Sequence, residues 1–86
     1  VTVNSLAVDP NDVNTIYAGT WWRAYKTTDG GKNWRLIKDG MIDDSDVFAI
    51  DIDPRDPNNI FSSACSGIYY STNRGEKWTK VQGIPS

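Results

Sequence analysis

Two tryptophans beside an arginine, Trp21-Trp22-Arg23, form the stretch of this sequence best suited to holding a ligand. Two large rings on a connection between strands can stack on a sugar or anchor a peptide, and the guanidinium adds directional donors. The competing reading is packing inside the fold. Adjacent residues at a strand end point to opposite faces, so one tryptophan is expected packed and the other free. Asp43, Asp44 and Asp46 could turn oxygens toward a hard cation such as calcium. They lack the spacing of a calcium loop, and a solvated acidic turn is the expectation, with no metal. A carboxylate pair about 5–9.5 Å apart would serve glycoside hydrolysis, a separation that chain spacing does not set. Cys65 ends a strand without a cationic neighbour in sequence, the setting of an inert buried thiol.

The composition removes several kinds of chemistry. There are 0 histidines, which takes away Ser-His-Asp and Cys-His catalysis and the ordinary zinc sites within this chain. A single cysteine cannot form an internal disulfide. The net charge of -2, with no Lys/Arg cluster, lacks the electrostatic footprint of a nucleic-acid or anionic-membrane partner. Apolar runs are only a few residues long, so no membrane span is expected. Val1-Thr2-Val3-Asn4 does not read as a signal peptide, and a mature or excised piece is the expectation. With 86 residues, of which 38% are hydrophobic, the chain has material for one small domain with a modest core.

The elements that must position these residues come in two copies. Thr27-Thr28-Asp29-Gly30-Gly31-Lys32-Asn33-Trp34 returns 44 positions later as Ser71-Thr72-Asn73-Arg74-Gly75-Glu76-Lys77-Trp78. Each copy reads as a hairpin corner. A short acceptor takes bonds from backbone N–H groups, glycine supplies positive φ, and tryptophan fixes the outgoing strand to the core. The same offset pairs Val3 with Val47, Asp9-Pro10 with Asp53-Pro54, Ile16 with Ile60 and Tyr25 with Tyr69, without a gap. A period of 40 to 50 residues points to a propeller or a solenoid. Within the first unit, strands are predicted at 5–8, 15–20, 24–27 and 34–38, with Asp9-Pro10-Asn11-Asp12 as a turn. The second unit repeats them at 47–52, 59–64, 67–71 and 77–81, and Phe48, Ile50 and Ile52 alternate with Ala49 and Asp51. Each unit is then a four-stranded antiparallel meander, and no stretch predicts a helix.

The pattern Ser/Thr-x-Asp-x-Gly-x-x-Trp resembles the Asp-box, or bacterial neuraminidase repeat. Thr27, Asp29, Gly31 and Trp34 match it, as do Ser71, Gly75 and Trp78, while Asn73 stands in place of the acid and predicts a weaker second corner. Residues 9–20 are similar to the linker and second strand before such boxes in sortilin-like and photosystem-assembly-factor-like propellers. The resemblance implies an all-β fold of two propeller blades, 1–42 and 43–86, with the boxes on structural outer turns. Propellers close with about four to eight blades. Two blades therefore imply partners, either three or four copies of this chain closing a six- or eight-bladed ring, or the missing blades of a parent chain.

In such a blade the second-to-third connection, carrying Trp21, Trp22 and Arg23, and that at Cys65, Ser66 and Gly67 lie, with Asp43, Asp44 and Asp46 of the connection between blades, on the rim where ligands usually bind. Family members are often exported, which implies an extracellular or periplasmic setting. A sialidase would need an arginine trio, a tyrosine nucleophile and a glutamate partner. Arg23, Arg35, Arg55 and Arg74 are the only arginines, two of them in or near turns of the other rim. The Arg-Ile-Pro signature is missing, and Glu76, the only glutamate, lies inside the second corner. The expectation is a non-enzymatic scaffold or binding module without cofactor, for a protein or carbohydrate ligand. The alternatives are a fragment of a sialidase- or xyloglucanase-like hydrolase and an assembly element with no ligand.

Overall fold

The computed structural model describes residues 3–37, 39–40, 47–64 and 67–81, with the side chain of Phe48 excepted. Asp43, Asp44, Asp46, Cys65 and Ser66 lie outside the described residues. The first sheet is built from β1 (Val3–Asp9), β2 (Asp12–Thr20), β3 (Ala24–Thr27) and β4 (Arg35–Leu36), paired in chain order and antiparallel throughout. β5 (Val47–Ile52), β6 (Ile60–Ala64), β7 (Gly67–Ser71) and β8 (Thr79–Lys80) repeat the plan in a second sheet. The meanders match the expectation from the 44-residue offset. β4 and β8 are shorter than predicted, two residues each, while β1 and β2 run longer, so that Asp9 and Asp12 of the predicted turn pair as strand ends around Pro10-Asn11. Backbone pairing continues past them, as Ile37 N–H donates to Ala24 O at 2.9 Å and Val81 N–H to Ile68 O at 2.8 Å.

The repeat extends to irregularities. β1 shifts register between Val3 and Ser5, and β5 shifts between Val47 and Ala49. Such a bulge changes which side chains share a face. In β1, Ser5, Ala7 and Asp9 turn toward the second sheet while Leu6 and Val8 remain exposed.

The core lies between the sheets. Tyr17, Ala24 and Ile37 of the first meet Val47, Ile50, Ile60, Tyr69 and Trp78 of the second, all buried. Backbone approach is close there. A Cβ added at Gly19 would stand 2.9 Å from Val47 Cγ1 and 3.1 Å from Val47 O, so only glycine lets β5 settle on β2 at this distance. Asn4 Nδ2 donates to Val47 O at 3.0 Å, and Ser5 Oγ accepts from Ile50 N at 3.3 Å.

The two corner tryptophans, expected to play one role, differ. Trp78 is 1% exposed and its Nε1–H donates to Ile37 O at 3.0 Å, whereas Trp34 is 42% exposed. The reason is position in the stack. Trp78 faces the first sheet, while the equivalent face of the first sheet, carrying Trp34, has no sheet against it among the described residues. Trp34 corrects the expectation that both corners fix their strands to a core.

Candidate functional site

The loop joining β2 to β3 is closed by Thr20. Its N–H and hydroxyl both donate to Arg23 O, at 3.1 and 2.7 Å, and its Oγ1 accepts from Trp22 N at 3.0 Å. Arg23 takes a φ of 76°, a left-handed conformation that a non-glycine residue adopts at a cost. At the equivalent place in the second sheet stands Gly67, with φ 138°. The Arg23 guanidinium carbon lies 4.2 Å from the centroid of the Trp22 ring, a cation–π stack. Trp21 is 56% exposed and Trp22 41%. The expectation of one packed and one free ring is therefore corrected. These residues sit in a bend after the strand has ended, where alternation between faces no longer holds.

The corners are built alike. Thr27 Oγ1 donates to Asp29 Oδ1 at 2.7 Å and accepts from Gly31 N at 3.1 Å, while Asp29 accepts from the backbone and side-chain nitrogens of Asn33, each at 2.9 Å. Ser71 Oγ donates to Asn73 Oδ1 at 2.8 Å and accepts from Gly75 N at 2.9 Å, and Lys77 N donates to Asn73 Oδ1 at 3.1 Å. An amide oxygen thus fills the place of a carboxylate oxygen. Gly31 and Gly75 hold φ of 101° and 82°, which L side chains resist. The corners lie beside the first turn of each sheet, as Gly30 N donates to Asn14 O and Arg74 N to Asn58 O, at 3.0 and 3.1 Å. They are turn scaffolds, with their polar atoms directed at their own backbone.

The Thr27 hydroxyl, followed by the Asn33 N–H groups, lowers the Asp29 carboxyl to about 2. A depressed carboxyl contributes stability that is complete above its unfolded value, near 3.8, and is lost as pH falls through about 2. Asp29→Asn should therefore flatten the acid limb of unfolding between these values, followed by far-UV circular dichroism. An unchanged limb would show that Asp29 does not couple to folding. Glu76, lowered by Arg35 and then Lys26, adds a limb of the same sign that this substitution leaves in place.

One cluster was not legible in the motifs. Asp9, Lys26, Arg35, Arg74 and Glu76 meet where the sheets join. Arg74 Nη1 pairs with the fully buried Asp9 at 2.8 Å, Lys26 Nζ with Glu76 at 3.1 Å, and Arg35 with Glu76. The Arg74 carbonyl accepts from Lys26 Nζ at 2.9 Å and from the Tyr17 hydroxyl at 3.2 Å. Burial pushes the Tyr17 hydroxyl up to about 12, so it stays a donor. The signal available in the sequence was a set of exceptions to the repeat. Lys26, Arg74 and Glu76 stand where the other copy has Tyr70, Gly30 and Lys32. These charges are consumed in joining the sheets, and Arg35 and Arg74 do not converge with Arg23 on the loop at residues 20–23. No group of three or more potential metal ligands occurs among the described residues.

No family model matches this sequence, and no curated protein matches it. Solved structures do. An ancestral GH74 enzyme superposes on 96% of this chain with a TM-score of 0.81 at 20% identity, the chain covering 13% of it. The GH74 xyloglucanase from Xanthomonas campestris superposes on 93% with a TM-score of 0.78 at 19% identity, the chain covering 15% of it. YCF48 from Cyanidioschyzon merolae superposes on 99% with a TM-score of 0.74 at 16% identity, the chain covering 25% of it. All three are β-propeller proteins, and the chain spans a quarter or less of each. The likeness establishes the fold: the two sheets are two consecutive blades of a β-propeller.

Proposed function

We propose that this chain is a non-enzymatic pair of propeller blades, with corners of the Asp-box kind, that presents its Trp21-Trp22-Arg23 loop to a carbohydrate or protein ligand. The observation that carries this reading is the loop itself. Two large rings are exposed together, one of them held under a guanidinium, in a turn locked by Thr20. A rigid aromatic surface costs little entropy when a sugar face or a peptide side chain settles on it. The catalytic alternative gains no support from the described carboxylates that could act in pairs across the joint. Asp9 is buried against Arg74, and Glu76 is held by two cations.

Titration of the chain against a panel of oligosaccharides and peptides tests the reading. A ligand that binds should lose at least about tenfold in affinity on Trp22→Ala or Trp21→Ala, the loss of about 1.4 kcal/mol expected of an aromatic contact, with the thermal midpoint unchanged. Binding indifferent to both substitutions would remove the loop from the site.

A second reading is favoured by the likeness to the two GH74 enzymes, one of them a xyloglucanase. Under it the chain is part of a glycoside hydrolase propeller whose catalytic groups depend on further blades. Release of reducing sugar from xyloglucan once those blades are restored would support the hydrolase, and binding without release would support the module.

A further inference from the structure

The two outward faces of the blade pair are the repeat counterparts of the two faces that meet inside it, the Trp34 face keeping the apolar residues of its counterpart and the other face differing at several positions. On the first blade Val3, Leu6, Val8 and Trp34 are 42–63% exposed, and Val3, Leu6 and Trp34 border, with Ala18, Thr20 and Tyr25, an apolar groove of about 480 Å³. Shifted by 44, Val3, Leu6, Tyr25 and Trp34 become Val47, Ile50, Tyr69 and Trp78, all buried against the first blade. At the other end of the stack, Phe61 and Tyr70 are 51% and 38% exposed, with ring centroids 6.4 Å apart. Their counterparts are Tyr17 and Lys26, the residues on which the second corner rests.

We propose that copies of this chain associate head to tail, the Trp34 face of one copy seating on the Phe61–Tyr70 face of the next. The inference rests on reading the chain as a blade pair. Large exposed apolar faces mark interaction sites. A heterologous contact of this kind closes a ring when its rotation permits. The in-chain joint supplies the geometry. Trp78 Nε1–H donates to Ile37 O, and Val81, the counterpart of Ile37, has the same backbone setting, its N–H bonded to Ile68 as that of Ile37 is to Ala24. The Trp34 indole of the next copy therefore finds its acceptor at Val81 O. The ion pairs are not repeated. The places of Lys26, Arg74 and Glu76 are taken by Tyr70, Gly30 and Lys32, so the joint between copies has an aromatic ring in the place of Lys26, and Asp53, the counterpart of Asp9, meets Gly30 in place of an arginine.

Ser63 opposes a close fit by its bulk and thereby gives a test of the interface. Ser63 stands where the first blade has Gly19, whose Cβ would meet Val47 Cγ1 at 2.9 Å. In the joint between copies the Ser63 side chain presses on Val3 in the same way. Ser63→Gly should tighten association by about tenfold, the relief of overpacking worth about 1.4 kcal/mol.

Light scattering coupled to size exclusion, across a concentration series, tests this on the chain and on Trp34→Ala, Phe61→Ala and Ser63→Gly, each checked by circular dichroism for an unchanged fold. The expected result is a mass of several chains for the parent, about one chain for the two alanine variants at the same concentration, and association shifted to lower concentration for the glycine variant. A single-chain mass at every concentration overturns the proposal and assigns both faces to blades of another chain segment. An oligomer indifferent to all three substitutions overturns it also. Exchange of the Trp78 indole N–H, read by NMR, separates this failure from that of the blade pair. A protected indole leaves the pair standing, and exchange at the rate of an unfolded peptide removes pair and proposal together.

Discussion

Trp78→Ala should lower the unfolding free energy by about 3–5 kcal/mol, and Trp34→Ala by no more than about 1.5, although the two residues occupy the same place in the repeat. Trp78 is buried between the blades, its ring 3.5 Å from the site of a Cβ at Gly75, its N–H satisfied by Ile37 O and its backbone N–H bonded to Asp39 O at 2.7 Å. Truncation removes the largest fully buried side chain, leaves a cavity and strips the Ile37 carbonyl of a donor. Trp34 keeps one face in water, so its loss gives up only a fraction of that burial. Urea unfolding followed by far-UV circular dichroism separates the two, since fluorescence would change with the substitutions themselves. The chain must be kept below any concentration at which it associates. Equal losses for the two variants would mean that the blades do not stack through Trp78 as described.

The contrast between these tryptophans also marks how far the sequence could be read. The blade plan followed from local chemistry. Alternation in β5, the Asp-Pro turns and the Gly31 and Gly75 corners each depend on a few neighbouring residues, and a strand forms at each of the eight places those patterns mark, β1 and β2 running longer and β4 and β8 shorter than predicted. Which face of each blade is covered depends instead on how many blades follow, a property of the stack that no single repeat carries. Trp34 and Trp78 were therefore indistinguishable in sequence. The loop at residues 20–23 was legible as a site by its residue types and illegible in its conformation. The positive φ of Arg23 and the hold of Thr20 on the bend turn both rings outward, and neither follows from composition. The ionic joint was hidden for a related reason. Asp9 and Arg74 are 65 positions apart, and only the stacking of one blade on the next brings them to 2.8 Å.

That pair carries the second large effect. Arg74→Ala should cost about 2–4 kcal/mol, because among the described residues it leaves the fully buried Asp9 carboxylate with a single donor, the N–H of Asn11 at 2.8 Å. The value falls toward the lower part of the range for broken buried pairs because Arg74 is itself 40% exposed, and water can reach the gap. Arg74 also adopts a φ of 62° and bonds Asn58 Oδ1 through Nε at 2.9 Å. A residue kept in that conformation by its side-chain partners predicts an order among substitutions. Arg74→Gly, which restores what the first corner has at Gly30, should lose the ion pair but recover about 1 kcal/mol of backbone strain relative to alanine. Combining Arg74→Ala with Asp9→Asn should cost less than the sum of the single changes by about 1–2 kcal/mol, since the second removes the charge that the first exposes. Chemical unfolding of the four variants measures all three differences. Strict additivity of Asp9 and Arg74 would show the joint to be held by its apolar core alone, with the ion pair a bystander. A shortfall of the expected size would make the Arg74 corner the electrostatic clasp that holds the second blade on the first, a function its counterpart at Gly30 cannot perform.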